Sequence, residues 1–158
     1  MIQVSRTTHL DVPPEAVWQF FREMNSNYPR WHREHLRWRW LQGEPLAPGA
    51  IWYADEWIGW FRLSCRFFVT ASQPGRHFAF RIGLPHSLVR SGGSFTFAPA
   101  ADGGCDVTEE FHFGFSAPVL GPVVDLVLRL ALPMEDFRRH ISEEGDGLVR
   151  LLQPGAQP

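Results

Sequence analysis

Two histidines lie three residues apart in the run Tyr28-Pro29-Arg30-Trp31-His32-Arg33-Glu34-His35. At that spacing two imidazoles can share one face of a helical turn, where they can bind a metal, trade protons or simply pack. The pair alone decides nothing. Its chemistry depends on whether other ligand-type side chains are sent to the same place, so the residues to find are polar ones inside apolar patterns.

Glu144 is the first of these. Met134, Phe137, Ile141, Leu148 and Leu151 form an apolar stripe at helical spacing, and Glu144 falls between Ile141 and Leu148 on that stripe. Glu143, Asp136, His140 and Arg150 are expected to point elsewhere. A desolvated carboxylate must be paired, metal-bound or protonated, so Glu144 is read as a site residue, or else as a group near a cavity mouth or ion-paired with an arginine. In Trp52-Tyr53-Ala54-Asp55-Glu56-Trp57, two acids sit mid-strand among aromatics. Glu56 shares the more apolar face with Trp52, Ala54 and Ile58, which makes it the better inward candidate, with a solvated acid near a turn as the alternative. On the last strand Val107, Glu109, Phe111, Phe113 and Phe115 alternate with Thr108, Glu110, His112 and Gly114. The second set concentrates the ligand-type residues, so Glu110 and His112 either face a cavity or line an ordinary wet face. A site made of His35, Glu56, His112 and Glu144 would offer two imidazoles and two carboxylates, a set suited to Zn2+ and less well to Fe2+ or Mn2+.

These residues must be positioned by a strand from Ile2 to His9, then a helix entered through Asp11-Val12-Pro13-Pro14-Glu15, with Asp11 as its cap. The helix weakens at Asn25-Ser26-Asn27, which leaves Tyr28 to His35 on a following turn or short second helix. From Leu36 to Phe115, short alternating runs are split by turn residues at 43–49, Gly59, 73–75, 83–86 and 99–104, the pattern of an antiparallel meander. Phe61, Leu63, Cys65, Phe67 and Val69, then Phe78, Phe80 and Ile82, mark its buried face. A helical region follows Pro118 and ends near Leu152, broken or kinked at Pro133. The plan is α+β: a curved antiparallel sheet of about seven strands around a long C-terminal helix, with one or two short helices after the first strand. Residues 1–153 form one domain and 154–158 a frayed tail.

That element order, with the opening Val12-Pro13-Pro14-Glu15-Ala16-Val17-Trp18, resembles the Bet v 1-like, START-related (SRPBCC, polyketide cyclase-like) helix-grip superfamily over essentially the whole chain. The resemblance implies a cavity between sheet and helix for a small, mostly apolar or aromatic ligand. The Tyr-x-x-Trp-His motif followed by a second His is similar to the zinc-dependent diacetylphloroglucinol hydrolase family, a helix-grip branch that cleaves a carbon–carbon bond in an acylated phenol. That likeness implies metal ligation by His35, Glu56, His112 and Glu144, a phenol-binding Tyr28 and a pocket role for His32. The motif departs in spacing, which leaves His32 and His35 as alternative ligands, and the chain is shorter than that enzyme. Tyr28, His32, Glu110 and His86 are then the candidates for moving protons, in that order. Two other function classes remain: a metal-free polyketide cyclase or aromatase, and a non-catalytic binder of lipids or other apolar molecules.

Composition narrows the partners. With 15 Lys plus Arg against 17 Asp plus Glu in 158 residues, the chain offers no general field for nucleic acid or an anionic membrane. Arg30, Arg33, Arg37 and Arg39 cluster but are interrupted by Glu34 and Trp residues, as on a solvated face. Cys65 and Cys105 have neither metal nor disulfide spacing and are expected to be reduced. The expected protein is cytoplasmic, a monomer or homodimer.

Overall fold

The computed structural model describes residues 1–83, 90–114 and 120–153. His86, Phe115 and the tail 154–158 lie outside them. The elements are β1 (Ile2–Leu10), α1 (Pro14–Arg22), α2 (Met24–Trp31), β2 (His35–Gln42), β3 (Ile51–Ile58), β4 (Phe61–Gln73), β5 (His77–Ile82), β6 (Gly92–Pro99), β7 (Cys105–Phe113), α3 (Leu120–Ala131) and α4 (Met134–Leu152). Seven antiparallel strands run β1-β7-β6-β5-β4-β3-β2 in one sheet, so the first strand pairs with the last and the meander fills the space between. This is the expected α+β plan.

The turns fall where glycine and proline punctuate the sequence, and alternation sets the inner face. Leu63, Cys65, Phe67, Val69, Phe78, Phe80 and Ile82 are all buried. Trp52 lies between Trp38 and Phe67, stacked at 4.9 and 5.0 Å, so the concave face is largely an aromatic wall. Cys65 and Cys105 are buried free thiols, and burial pushes Cys65 up to about 12. Among the described residues no helix is long and apolar enough to cross a membrane.

Two local expectations change, and the break expected at Pro133 is present. Asp11 does not cap α1: the cap position is Pro13, with no side-chain cap bond, because proline's fixed φ already sets the helix entry. Pro133 separates α3 from α4 outright. The His32–His35 pair does not share a helical turn. Pro29 lies within α2, which ends two residues later at Trp31, and His32 is extended, with φ −140° and ψ 145°. His35 therefore opens β2, and a register shift just after it sets it directly opposite Glu56.

The position of α4 depends on two glycines. A Cβ on Gly147 would come within 2.2 Å of the Trp31 carbonyl oxygen, and one on Gly145 within 2.4 Å of Thr8 Oγ1. Only glycine permits so close an approach to α2 and β1. The contact is fastened by Trp31 Nε1, which donates to the Glu144 carbonyl at 2.8 Å, and by Arg150, which donates to the carbonyls of Arg30 and Trp31 at 3.0 and 3.1 Å.

Candidate functional site

The structure brings His35, Glu56 and Glu144 together. It does not bring His112, and the fourth member of the group is His140. One ligand atom from each of His35, Glu56, His140 and Glu144 lies within 4.8 Å of all the others, and all four residues are buried. His35 Nε2 is 3.0 Å from Glu144 Oε1, 3.2 Å from Glu56 Oε2 and 3.3 Å from His140 Nε2. His140 Nε2 stands 3.6 Å from Glu56 Oε2 and 3.8 Å from Glu144 Oε1.

Each residue arrives by a simple local rule. Glu56 follows Trp52 and Ala54 on the inward face of β3, while Asp55 takes the other face and binds Arg62 through two bonds of 2.9 and 2.8 Å. That guanidinium holds the Asp55 carboxyl below its usual range. Glu144 sits on the buried stripe of α4 as expected. His140 is one turn before it, on the same helix edge, and is 3 % exposed. At 3.6 residues per turn it stands about 60° from the centre of the stripe. The close approach allowed by Gly145 and Gly147 carries that flank inside. Asp136, Glu143 and Arg150 remain further round the helix.

His112 is half-buried on the opposite face of β7, beside Gly92, where a Cβ would lie 3.2 Å from His112 Nε2. Glu110 shares that face. The inward face of β7 goes to Val107, Glu109, Phe111 and Phe113, because the three apolar side chains gain more from burial than one carboxyl loses. Glu109 is carried in with them and is 4 % exposed. Burial, then the neighbouring Glu144, push its carboxyl well above the normal range.

An outer layer fixes the rings. His35 Nδ1 faces the Tyr28 carbonyl at 3.2 Å, and His140 Nδ1 faces Glu34 Oε2 at 3.0 Å. Both oxygens accept, so each Nδ1 carries its hydrogen, and a neutral ring then turns its Nε2 lone pair into the group. Tyr28 stacks on His35 at 3.9 Å and donates from its hydroxyl to Glu56 Oε2 at 2.5 Å. Burial, followed by the Glu56 charge, holds the Tyr28 hydroxyl firmly protonated. His32 is buried beside the group, 4.3 Å ring to ring from His140. Its Nδ1 accepts from the Glu34 N–H, so its Nε2–H donates to Glu143 at 2.9 Å. Burial lowers its pKa, against the pull of Glu143.

The charge balance is unusual. Two carboxylates and two imidazole lone pairs converge where water is largely excluded, and this arrangement requires positive charge. Protons or a metal ion could supply it. In the metal-free protein burial opposes protonation of His140, but Glu144, Glu56 and Glu34 outweigh it and raise its pKa to about 10. His35 is raised against burial by Glu144 and Glu56, and Glu56 is lowered, with the two histidines overcoming its burial.

Beside the group lies a small chamber of about 30 Å3 bordered by Tyr28, Trp38, Trp52, Glu109 and Phe111. A second cavity of about 150 Å3, lined by Phe61, Leu63, Phe113, Leu128 and Phe137 with His112 as a polar member, meets it at Phe111, so His112 borders this cavity although it is not part of the four-residue group. The chamber is thus a mostly aromatic space with the carboxyl groups of Glu56, Glu109 and Glu144 in its lining, and the two imidazoles lie behind Glu56 and Glu144.

Solved structures share this architecture. The Zhui aromatase/cyclase from Streptomyces sp. R1128 superposes with a TM-score of 0.69 at 11% identity, covering 99% of each chain. A START superfamily protein from Mycobacterium smegmatis gives 0.68 at 18% identity over 96% of this chain and 99% of that one. A protein from Thermus thermophilus gives 0.69 at 12% identity over 94% and 95%. At such identities the likeness concerns the fold. No curated protein matches. These findings support the START and polyketide cyclase resemblance but lend none to the narrower likeness to a zinc-dependent hydrolase. A family model matches residues 1–139, most of the strands and helices that build the site, and on that ground the chain belongs to the polyketide cyclase / dehydrase and lipid transport family.

Proposed function

We propose that this protein binds a small aromatic or polyketide-type molecule between its sheet and α4, and acts on it with a divalent metal held by His35, Glu56, His140 and Glu144. Zn2+ is the first choice, ahead of Fe2+ and Mn2+. One observation carries the reading. Ligands of a tetrahedral ion at about 2.0–2.2 Å stand about 3.3–3.6 Å apart, and the five separations given above run from 3.0 to 3.8 Å. Both imidazoles also have Nδ1 anchored, which directs Nε2 inward as metal-binding histidines require.

A metal so held would have its four protein ligands filled, and on accepting a fifth ligand it would supply Lewis acidity toward a carbonyl oxygen or lower the pKa of a water. The chain's own residues supply the rest. Tyr28 holds Glu56 by its hydroxyl and presses on the face of His35, Glu34 orients His140, and the wall of Trp38, Trp52 and Phe80 keeps water out. Hydrolysis of an acyl or carbon–carbon bond in a phenolic substrate is the reaction class that suits this equipment.

The second reading is a metal-free cyclase or aromatase. Its support is the family match and the likeness to an aromatase/cyclase, together with the hydrogen-bonded chain Tyr28–Glu56–His35, which can hold and pass protons without a metal. A plain apolar-ligand carrier is the third. Turnover of an acylated polyphenol by zinc-loaded protein, lost on chelation and restored by zinc, supports the first reading. Cyclisation of a poly-β-ketone chain that chelation leaves unchanged would favour the second.

A further inference from the structure

Three buried polar atoms without a hydrogen-bond partner belong to residues that border the same small chamber: Trp38 Nε1, Trp52 Nε1 and Glu109 Oε1. Unpaired polar atoms are costly in such a place and native proteins leave few of them. Here they are concentrated next to Glu56 and Glu144, where a ligand would meet reactive groups. The chamber's 30 Å3 holds about two water-sized atoms and no ring. The cavity beyond Phe111, at about 150 Å3 and almost wholly apolar, matches the size that accepts a benzene ring.

We propose that the two spaces form one divided ligand site, in which Trp38, Trp52 and Glu109 bind the hydroxyl group of a compound whose single aromatic ring fills the cavity beyond Phe111. The indole N–H groups donate to that oxygen, and a hydroxyl donates in turn to Glu109 Oε1. Phe111 borders both spaces, within 5.6 Å of the Phe80 ring and 6.1 Å of the Phe137 ring, so it partitions ring from oxygen. The inference deepens the ligand side of the function proposed above. It selects monocyclic arenes with a short oxygenated arm over long acyl chains.

The test compares 2-phenylethanol with n-propylbenzene, which have the same heavy-atom count and differ by hydroxyl against methyl. Calorimetry on the whole chain, with zinc and again with chelator, should find the alcohol bound at least about tenfold tighter in both states, a difference of about 1.4 kcal/mol. In 1H–15N spectra the indole signals of Trp38 and Trp52, assigned by Trp38→Phe and Trp52→Phe, should move with the alcohol and hardly with the hydrocarbon. Glu109→Leu should erase the preference, and Glu109→Gln, which keeps shape and polarity should the leucine variant misfold, should retain part of it. A preference that appears only with zinc and survives Glu109→Leu assigns the oxygen to the metal and overturns the subsite. Unmoved indoles, or no binding of either probe, overturn it as well. A preference that persists under chelation sustains the subsite even if the metal reading fails.

Discussion

Raising the pH of the metal-free protein from neutrality toward about 9.5 should weaken it by several kcal/mol, and saturating zinc should abolish that loss. His140 has its folded pKa raised from 6.5 to about 10. The folded chain therefore keeps a proton that the unfolded chain releases, and the stabilisation is complete below about pH 6.5 and lost as pH rises toward 10. Each pH unit in that window costs up to about 1.4 kcal/mol, so His140 alone sets a ceiling of about 5 kcal/mol. Repulsion from His35, raised in the same sense with its Nε2 only 3.3 Å away, brings the expected loss to about 2–4 kcal/mol. Glu109, raised by burial and by Glu144, acts in the same direction from a lower pH, so the measurement is repeated in Glu109→Gln. Urea unfolding with chelator at pH 6.5, 8 and 9.5 reads the slope. A flat profile in Glu109→Gln, or the same slope with and without zinc, would refute the charge balance assigned to the four-residue group.

Removing the anchor of His140 by Glu34→Ala should weaken zinc binding about 10- to 100-fold while leaving the circular dichroism spectrum unchanged, as read by chelator competition. Gly147→Ala should destabilise the protein by about 1–3 kcal/mol in urea, since its Cβ meets the Trp31 backbone oxygen rather than a movable side chain. Arg62→Ala is the contrasting case. The arginine side chain is 51% exposed but that of Asp55 only 10%, so the loss should be about 1 kcal/mol, above that of a pair fully in water and well below that of a fully buried one.

The sheet was legible because burial of one face imposes alternation, which β4 carries as far as Val69 and β5 carries throughout. Glu56 and Glu144 were legible for the same reason, each being a charge at a position that its own pattern reserves for apolar side chains. His140 was hidden because it stands at the edge of the stripe, where the sequence alone does not say whether a residue is inside. That is decided by how closely α4 approaches its neighbours. Gly145 and Gly147 were the available signal, two glycines in a helix whose cost in propensity is offset by close packing. His112 borders the second cavity but stays out of the group, because both faces of β7 carry polar residues and the count of ligand types does not say which face meets Glu56 and Glu144. The three inward apolar side chains, not the chemistry, determine which face turns in. The pairing of His32 with His35 on one turn was lost to Pro29 and the early end of α2, yet their rings still meet at 5.2 Å through the turn into β2.

Elemental analysis of the purified protein after dialysis against zinc reads whether His35, Glu56, His140 and Glu144 hold a metal. One zinc per chain in the wild type, and none in a folded Glu144→Ala variant, is the predicted result. A well-folded wild type that retains no zinc, or a Glu144→Ala variant that retains as much as the wild type, would contradict the proposed metal site.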